Sequence, residues 1–163
     1  MDVSGRLITE LVYDELKSIK YNKSFLAKKG KNYMLLNNFG ERITENNFLD
    51  IEPVYQLNPQ SRYSNPGYSY LKVKYSNLKY GLIDQVKLEI IEGEFDDIQS
   101  EFQNKLLVKQ NGKFGLYNVL SKAFEINAEY DQLTHIKGVY YGFKGKEIFK
   151  IKSGANVVTT KLK

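Results

Sequence analysis

His135 is the single histidine of the chain, and cysteine is absent. One imidazole without thiolates or suitably spaced carboxylates does not make a zinc site. The lack of cysteine removes disulfides and thiolate catalysis together. No Gly-x-Ser-x-Gly elbow marks a nucleophilic serine, and no Gly-x-Gly-x-x-Gly or Walker pattern marks a phosphate loop. Asp96 and Asp97 come nearest to a paired-carboxylate site, whose two carboxyl groups must converge across a cleft. Neighbours on an extended strand point to opposite faces, so this pair does not converge. The sequence therefore predicts no catalytic residue, no metal ligand and no cofactor, and His135 reads as a structural or surface residue.

Lysine offers a second kind of chemistry. Lys28, Lys29, Lys72, Lys74, Lys109 and Lys144 precede four turn-like stretches, and Lys31, Lys79, Lys113 and Lys146 follow them. Repetition of this pattern predicts a positive rim, with Lys28, Lys74, Lys109 and Lys144 as candidate polyanion-binding residues. Interleaved Tyr33, Tyr75, Tyr80 and Phe114 would add the stacking faces used on single-stranded nucleic acid. The net charge of +5 permits an anionic partner without requiring one. Two considerations weigh against it. Lysine at hairpin tips also keeps strand edges soluble and unpaired, and Lys far outnumbers Arg, the residue suited to bidentate phosphate contacts.

The elements that position these residues repeat. Lys79-Tyr80-Gly81-Leu82-Ile83-Asp84 returns as Lys113-Phe114-Gly115-Leu116-Tyr117-Asn118, an offset of 34 residues from Gly81 to Gly115. Such a period implies stacked copies of one supersecondary unit. Each copy reads as a β-hairpin, and Asn111-Gly112 is the sharpest of the turns, since a type I′ turn needs positive φ at both central residues. Equivalent hairpins are predicted from Phe25 to Leu36 around Gly30, from Tyr70 to Ile83 around Ser76-Asn77, and from Val139 to Ile151 around Gly145. A third short strand should follow at Arg42–Thr44, Leu88–Ile91 and Ala123–Ile126. After it comes a step containing Asp14, Asp50, Asp96 or Asp131, each expected to close an Asx-turn on its own backbone two residues on. Thirteen Tyr and nine Phe suit such a strand-rich fold.

At 163 residues the chain reads as a single β-repeat domain, 1–163. It divides into a partial unit 1–33, a unit 34–80, units 81–114 and 115–147, and a partial unit 148–163. Unit 34–80 is longer than its fellows because of a Pro-, Asn- and Ser-rich insert over residues 55–69. Inserts on repeat scaffolds are displayed by them, so Tyr55, Arg62, Tyr63 and Tyr68 become candidate protein-binding residues. The partial units at both ends leave open a capped array, a closed ring or part of a longer array. No apolar run is long enough to span a bilayer as a helix, and Met1–Gly5 lacks the basic and apolar regions of a secretory signal. The expected location is the cytoplasm, unless a signal peptide has been trimmed.

The motif Gly-Lys-aromatic-Gly-Leu-(Ile/Tyr)-(Asp/Asn), with its (Phe/Tyr)-Asp-x-(Ile/Leu) step, resembles the WG-repeat family of bacterial proteins. Tyr80-Gly81 and Phe114-Gly115 stand at the aromatic–glycine pair, where Trp is usual in that family. Met34 replaces the glycine after Tyr33, and Glu147-Ile148 replaces the whole pair. The resemblance implies an all-β array of about four hairpin-plus-strand repeats, solenoid-like, barrel-like or propeller-like. It further implies an interaction module without catalytic activity. The chain is therefore expected to bind a protein partner, as a small adaptor or immunity protein for example, and the aromatic–glycine pair reads as structural.

Overall fold

A computed structural model describes residues 12–19, 24–44, 47–54, 70–84, 89–99, 104–153 and 157–163. Among these residues there is no helix, and the strands form four antiparallel sheets. The first sheet holds β1 (Glu15–Ile19), β2 (Ser24–Lys29) and β3 (Asn32–Leu36). The second holds β4 (Asp50–Val54), β5 (Tyr70–Lys74), β6 (Tyr80–Asp84) and β7 (Glu89–Phe95). The third holds β8 (Asp97–Gln99), β9 (Lys105–Gln110), β10 (Lys113–Asn118) and β11 (Ala123–Tyr130). The fourth holds β12 (Gln132–Ile136), β13 (Val139–Lys144), β14 (Glu147–Lys152) and β15 (Val158–Lys161). Strands follow sequence order in every sheet, and no sheet closes on itself. The all-β array of hairpin-plus-strand repeats is thus present, without a closed barrel.

The four expected hairpins are β2–β3, β5–β6, β9–β10 and β13–β14. Asn111 and Gly112 both take positive φ, 51° and 77°, as a type I′ turn demands. A fifth hairpin, β12–β13, turns on Lys137 (φ 49°) and Gly138 (φ 80°). Its Lys-Gly pair is a weaker signal than Asn-Gly, because lysine gains nothing from its side chain in the left-handed region. The expected third strands fare unevenly. Ala123–Ile126 extends to Tyr130 as β11, whereas Arg42 makes only an isolated bridge to Leu36.

The sheets begin one step earlier than the sequence period suggested. Each four-stranded sheet takes the step strand, then the hairpin, then the third strand. The second strand of each hairpin is its centre. Met34-Leu35-Leu36, Gly81-Leu82-Ile83 and Gly115-Leu116-Tyr117 are consecutive buried residues. Successive side chains point to opposite faces, so both faces of these strands are covered.

The described residues fall into two compact units, one within Met1–Pro53 and Tyr68–Glu92, the other within Val54–Gly67 and Gly93–Lys163. The core of the first is Leu35, Phe48, Ile51, Leu71, Val73 and Ile83. That of the second is Leu116, Ile126, Tyr130, Leu133, Tyr140 and Ile151. A shared stitch joins neighbouring sheets inside each unit. Phe48 bridges back to Tyr33 while the Leu49 N–H donates forward to the Lys74 carbonyl at 2.8 Å. Tyr130 pairs back with Phe114 while the Asp131 N–H donates to the Phe143 carbonyl at 2.7 Å.

Candidate functional site

Asp14 and Asp131 do not close Asx-turns on themselves as expected, and three step aspartates reach across to a turn. Asp14 Oδ2 accepts the Gly30 N–H at 2.5 Å, Asp96 Oδ2 accepts the Gly112 N–H at 2.7 Å, and Asp131 Oδ2 accepts the Gly145 N–H at 2.7 Å. Each carboxylate therefore latches the turn of the next hairpin, capping an amide that the two-residue turn leaves without a strand partner. The Lys113 ammonium, 2.5 Å away, and the Gly145 amide hold the Asp131 carboxyl below its ordinary range. The fourth step differs. Leu49 occupies the latching position, Asp50 accepts its neighbour Ile51's N–H at 2.9 Å, and the facing turn is a five-residue loop, Tyr75–Lys79. The Asx-turns lie one motif earlier instead. Asn37 Oδ1 accepts the Phe39 N–H and Asn118 Oδ1 the Leu120 N–H, both at 2.9 Å.

Of the lysines before the turns, Lys28, Lys72, Lys74, Lys109 and Lys144 are half-buried and lie over rings. Lys28 Nζ is 5.4 Å from the centre of the Tyr33 ring, Lys74 Nζ 5.4 Å from Tyr80, and Lys109 Nζ 5.4 Å from Phe114. In each case the lysine and the ring are cross-strand partners. Lys72 Nζ also approaches Tyr80 at 4.2 Å. Lys144 covers Tyr130 and Phe149 and pairs with Glu129 at 2.9 Å. The stacking faces offered by Tyr33, Tyr80 and Phe114 are thus roofed by the protein's own ammonium groups, a cation–π arrangement within the hairpin.

Glycine in the motif serves close approach. A Cβ on Gly115 would sit 2.7 Å from Ile126 O and Ala128 N, and one on Gly81 would sit 2.8 Å from the Tyr75 ring. In the fourth hairpin the pair is rebuilt across the strands, with Phe149 opposite Gly142 and the Tyr130 ring filling the place of a Gly142 Cβ.

Asp96 and Asp97 diverge, one to Gly112 and the other to the Ile98 N–H and Gln99. His135 is exposed and stacks on its cross-strand partner Tyr140, with ring centres 4.6 Å apart. Among the described residues no group of His, Asp and Glu is placed to hold a metal ion, and no helix is long and apolar enough to cross a membrane. Tyr55, Arg62, Tyr63 and Tyr68, with the insert that carries them, lie outside the described residues.

One polar cluster escapes sequence reasoning. Glu125 Oε2 accepts from Lys105 Nζ at 2.7 Å and from Ser153 Oγ at 2.6 Å, and Glu125 Oε1 accepts from Asn118 Nδ2 at 2.6 Å. Lys105 Nζ also donates to Ser153 Oγ at 2.8 Å. Burial raises the Glu125 pKa, but the three hydrogen bonds outweigh it and leave the carboxyl below its ordinary range. The serine gives its proton to a carboxylate while the lysine is paired with that same carboxylate. The cluster is a clasp between the third and fourth sheets, not a nucleophile–base pair. Its members lie far apart in sequence, and only the Asn118–Glu125 pairing across one tight turn carried a local signal.

No curated protein matches the chain. Among solved structures, the N-terminal domain of Nup159 is similar at 9% identity with a TM-score of 0.41, covering 93% of this chain and 44% of that one. The chain thus spans less than half the length of that domain. A 2S albumin seed protein from Dolichos follows at 14% identity, with 86% and 88% coverage and a TM-score of 0.25. A hemopexin fold protein from cow pea is similar at 13% identity, with 91% coverage of both chains and a TM-score of 0.23. Residues 80–114 match the family described as WG containing repeat. That segment runs from the ring and close-approach glycine of one hairpin to the ring of the next, and over it the chain is similar to a WG repeat.

Proposed function

We propose that this chain is a non-catalytic interaction module of a bacterial cytoplasm, binding a protein partner through its repeat surface and the insert at residues 55–69. The observation that carries this reading is where the repeated polar groups go. Three step aspartates cap turn amides, and Lys28, Lys74 and Lys109 lie over aromatic rings. Beside exposed polar residues, the loops each display a large apolar side chain: Phe39 is 67% exposed, Leu78 63% and Leu120 68%. A rigid repeat scaffold with displayed loops suits docking by surface complementarity, and WG repeats are not known as an enzyme family. An adaptor or immunity-type role fits this reading. Deleting residues 55–69 should abolish partner binding while leaving the melting temperature within a few degrees. Unchanged binding would sink the role assigned to the insert.

A second reading, polyanion binding through Lys28, Lys74, Lys109 and Lys144, draws on the net charge of +5. It predicts affinity for nucleic acid that falls steeply with salt.

A further inference from the structure

Asn111-Gly112 is the one Asn-Gly pair in the chain. It forms the two-residue turn between β9 and β10, and both residues are exposed to water. Asparagine before glycine is chemically unstable there. The glycine nitrogen can attack the asparagine side-chain carbon Cγ, because glycine carries no side chain to obstruct the approach. A Cβ built on Gly112 would meet nothing within 4 Å, so the surrounding fold does not crowd that nitrogen either. What the fold supplies instead is a carboxylate. Asp96 Oδ2 accepts the N–H of this same nitrogen at 2.7 Å. The latches from Asp14 and Asp131 fall on Gly30 and Gly145, each of which follows a lysine.

We infer that Asn111 is a site of spontaneous deamidation and that the Asp96 latch restrains it. In the first step the Gly112 nitrogen bonds to Asn111 Cγ, the bond from Cγ to the side-chain nitrogen breaks, and ammonia leaves with the Gly112 proton. The cyclic imide then takes up water and opens at either carbonyl, giving aspartate or isoaspartate. Nothing is oxidised or reduced, and water is the only co-reactant. The latch opposes the first step in two ways. Its negative charge holds the proton on the Gly112 nitrogen and disfavours the anionic nitrogen that must attack. Its hydrogen bond also fixes the peptide plane, which has to rotate before the nitrogen can reach Cγ. Either product adds a carboxylate to the turn near Asp96, and like charges at close range repel. Isoaspartate further lengthens the main chain by one methylene, for which a type I′ turn has no place. Deamidation therefore loosens the β9–β10 hairpin at its tip.

The test is to hold the full chain in warm, mildly alkaline buffer for several days and follow Asn111 by peptide mass spectrometry, with aspartate and isoaspartate resolved by elution. Asp96→Ala should convert about fivefold faster than the native chain, the factor set by the net worth of one hydrogen bond. Asp96→Asn, which keeps the shape and loses the charge, should also be faster. Asp14→Ala removes the same latch from the first hairpin and should leave the rate at Asn111 unchanged, with melting curves showing which variants remain folded. The native chain unfolded in guanidinium chloride should convert faster than the folded one and at the same rate as unfolded Asp96→Ala. An unchanged or slower rate in folded Asp96→Ala would overturn the restraint, a slower one making Asp96 a general base instead. Equal acceleration by Asp14→Ala would trace the effect to general loosening and overturn it as well. A native chain that converts no faster unfolded than folded would do so without recourse to any variant.

Discussion

Gly115 and Gly81 occupy the same motif position but guard different neighbours. A Cβ at Gly115 meets main-chain atoms of β11, which cannot turn aside, while one at Gly81 meets the end of the Tyr75 ring, which can. Gly115→Ala should therefore destabilise the protein by about 1–3 kcal/mol, the usual range for forced overpacking, and Gly81→Ala by less. Urea unfolding of the two variants would show the order, and a reversed order would refute the close-approach account. Leu78 offers the opposite case. The loops Asn37–Glu41 and Tyr75–Lys79 share one hydrogen-bond pattern, with φ 83° at Gly40 in the first and 65° at Leu78 in the second. A leucine in the left-handed region is strained, and its exposed side chain gains little in return. Leu78→Gly should raise stability by about 0.5–1 kcal/mol after the entropy of the added glycine is counted. No change or a loss in urea would mean that packing of Leu78 offsets the strain.

Between elements, the Asp latch couples each step to the hairpin that follows. Asp96→Ala should cost about 1 kcal/mol, the ordinary net worth of one hydrogen bond, and should speed amide exchange at Gly112 more than at Gly145. Equal protection at Gly112 before and after substitution would disprove the latch. The clasp around Glu125 makes a pH prediction. Its carboxyl lies below its unfolded value, so its contribution is complete above the unfolded carboxylate range. That contribution is lost as pH falls through the lower, folded value. Glu125→Gln should accordingly be less stable near neutrality and show a flatter decline in acid; parallel decline of the two proteins would contradict the clasp. The hairpins were legible in the sequence because each turn and each apolar run is local. The latch was not, because Asp96 and Gly112 lie 16 residues apart and the step aspartates carry ordinary turn chemistry in their own sequence. The reduction of the Arg42 strand to one bridge was equally hidden, since Arg42-Ile43-Thr44 has a strand-like composition.

For the whole molecule, the all-β repeat architecture was readable from two good motif copies, because stacking forces equivalent residues into equivalent burial. The fate of the lysines was not, because sequence places them beside turns without showing that Lys28, Lys74, Lys109 and Lys144 lie over aromatic rings. This changes how the polyanion reading must be tested. Reversing Lys28, Lys74, Lys109 and Lys144 together removes cation–π contacts each worth about 0.5–1 kcal/mol, so that variant is expected to melt several degrees lower whatever it binds. The salt dependence of the unmodified chain is the cleaner probe. The most direct measurement of the interaction-module account is affinity capture from the source cell's lysate at low and at moderate salt. The captured material would be read by mass spectrometry and by nucleic-acid staining, for the full chain beside the chain lacking residues 55–69. The account predicts one discrete protein that survives moderate salt on the full chain and disappears with the insert. Nucleic acid that washes away with salt, captured equally by both chains, would contradict it and favour the lysines.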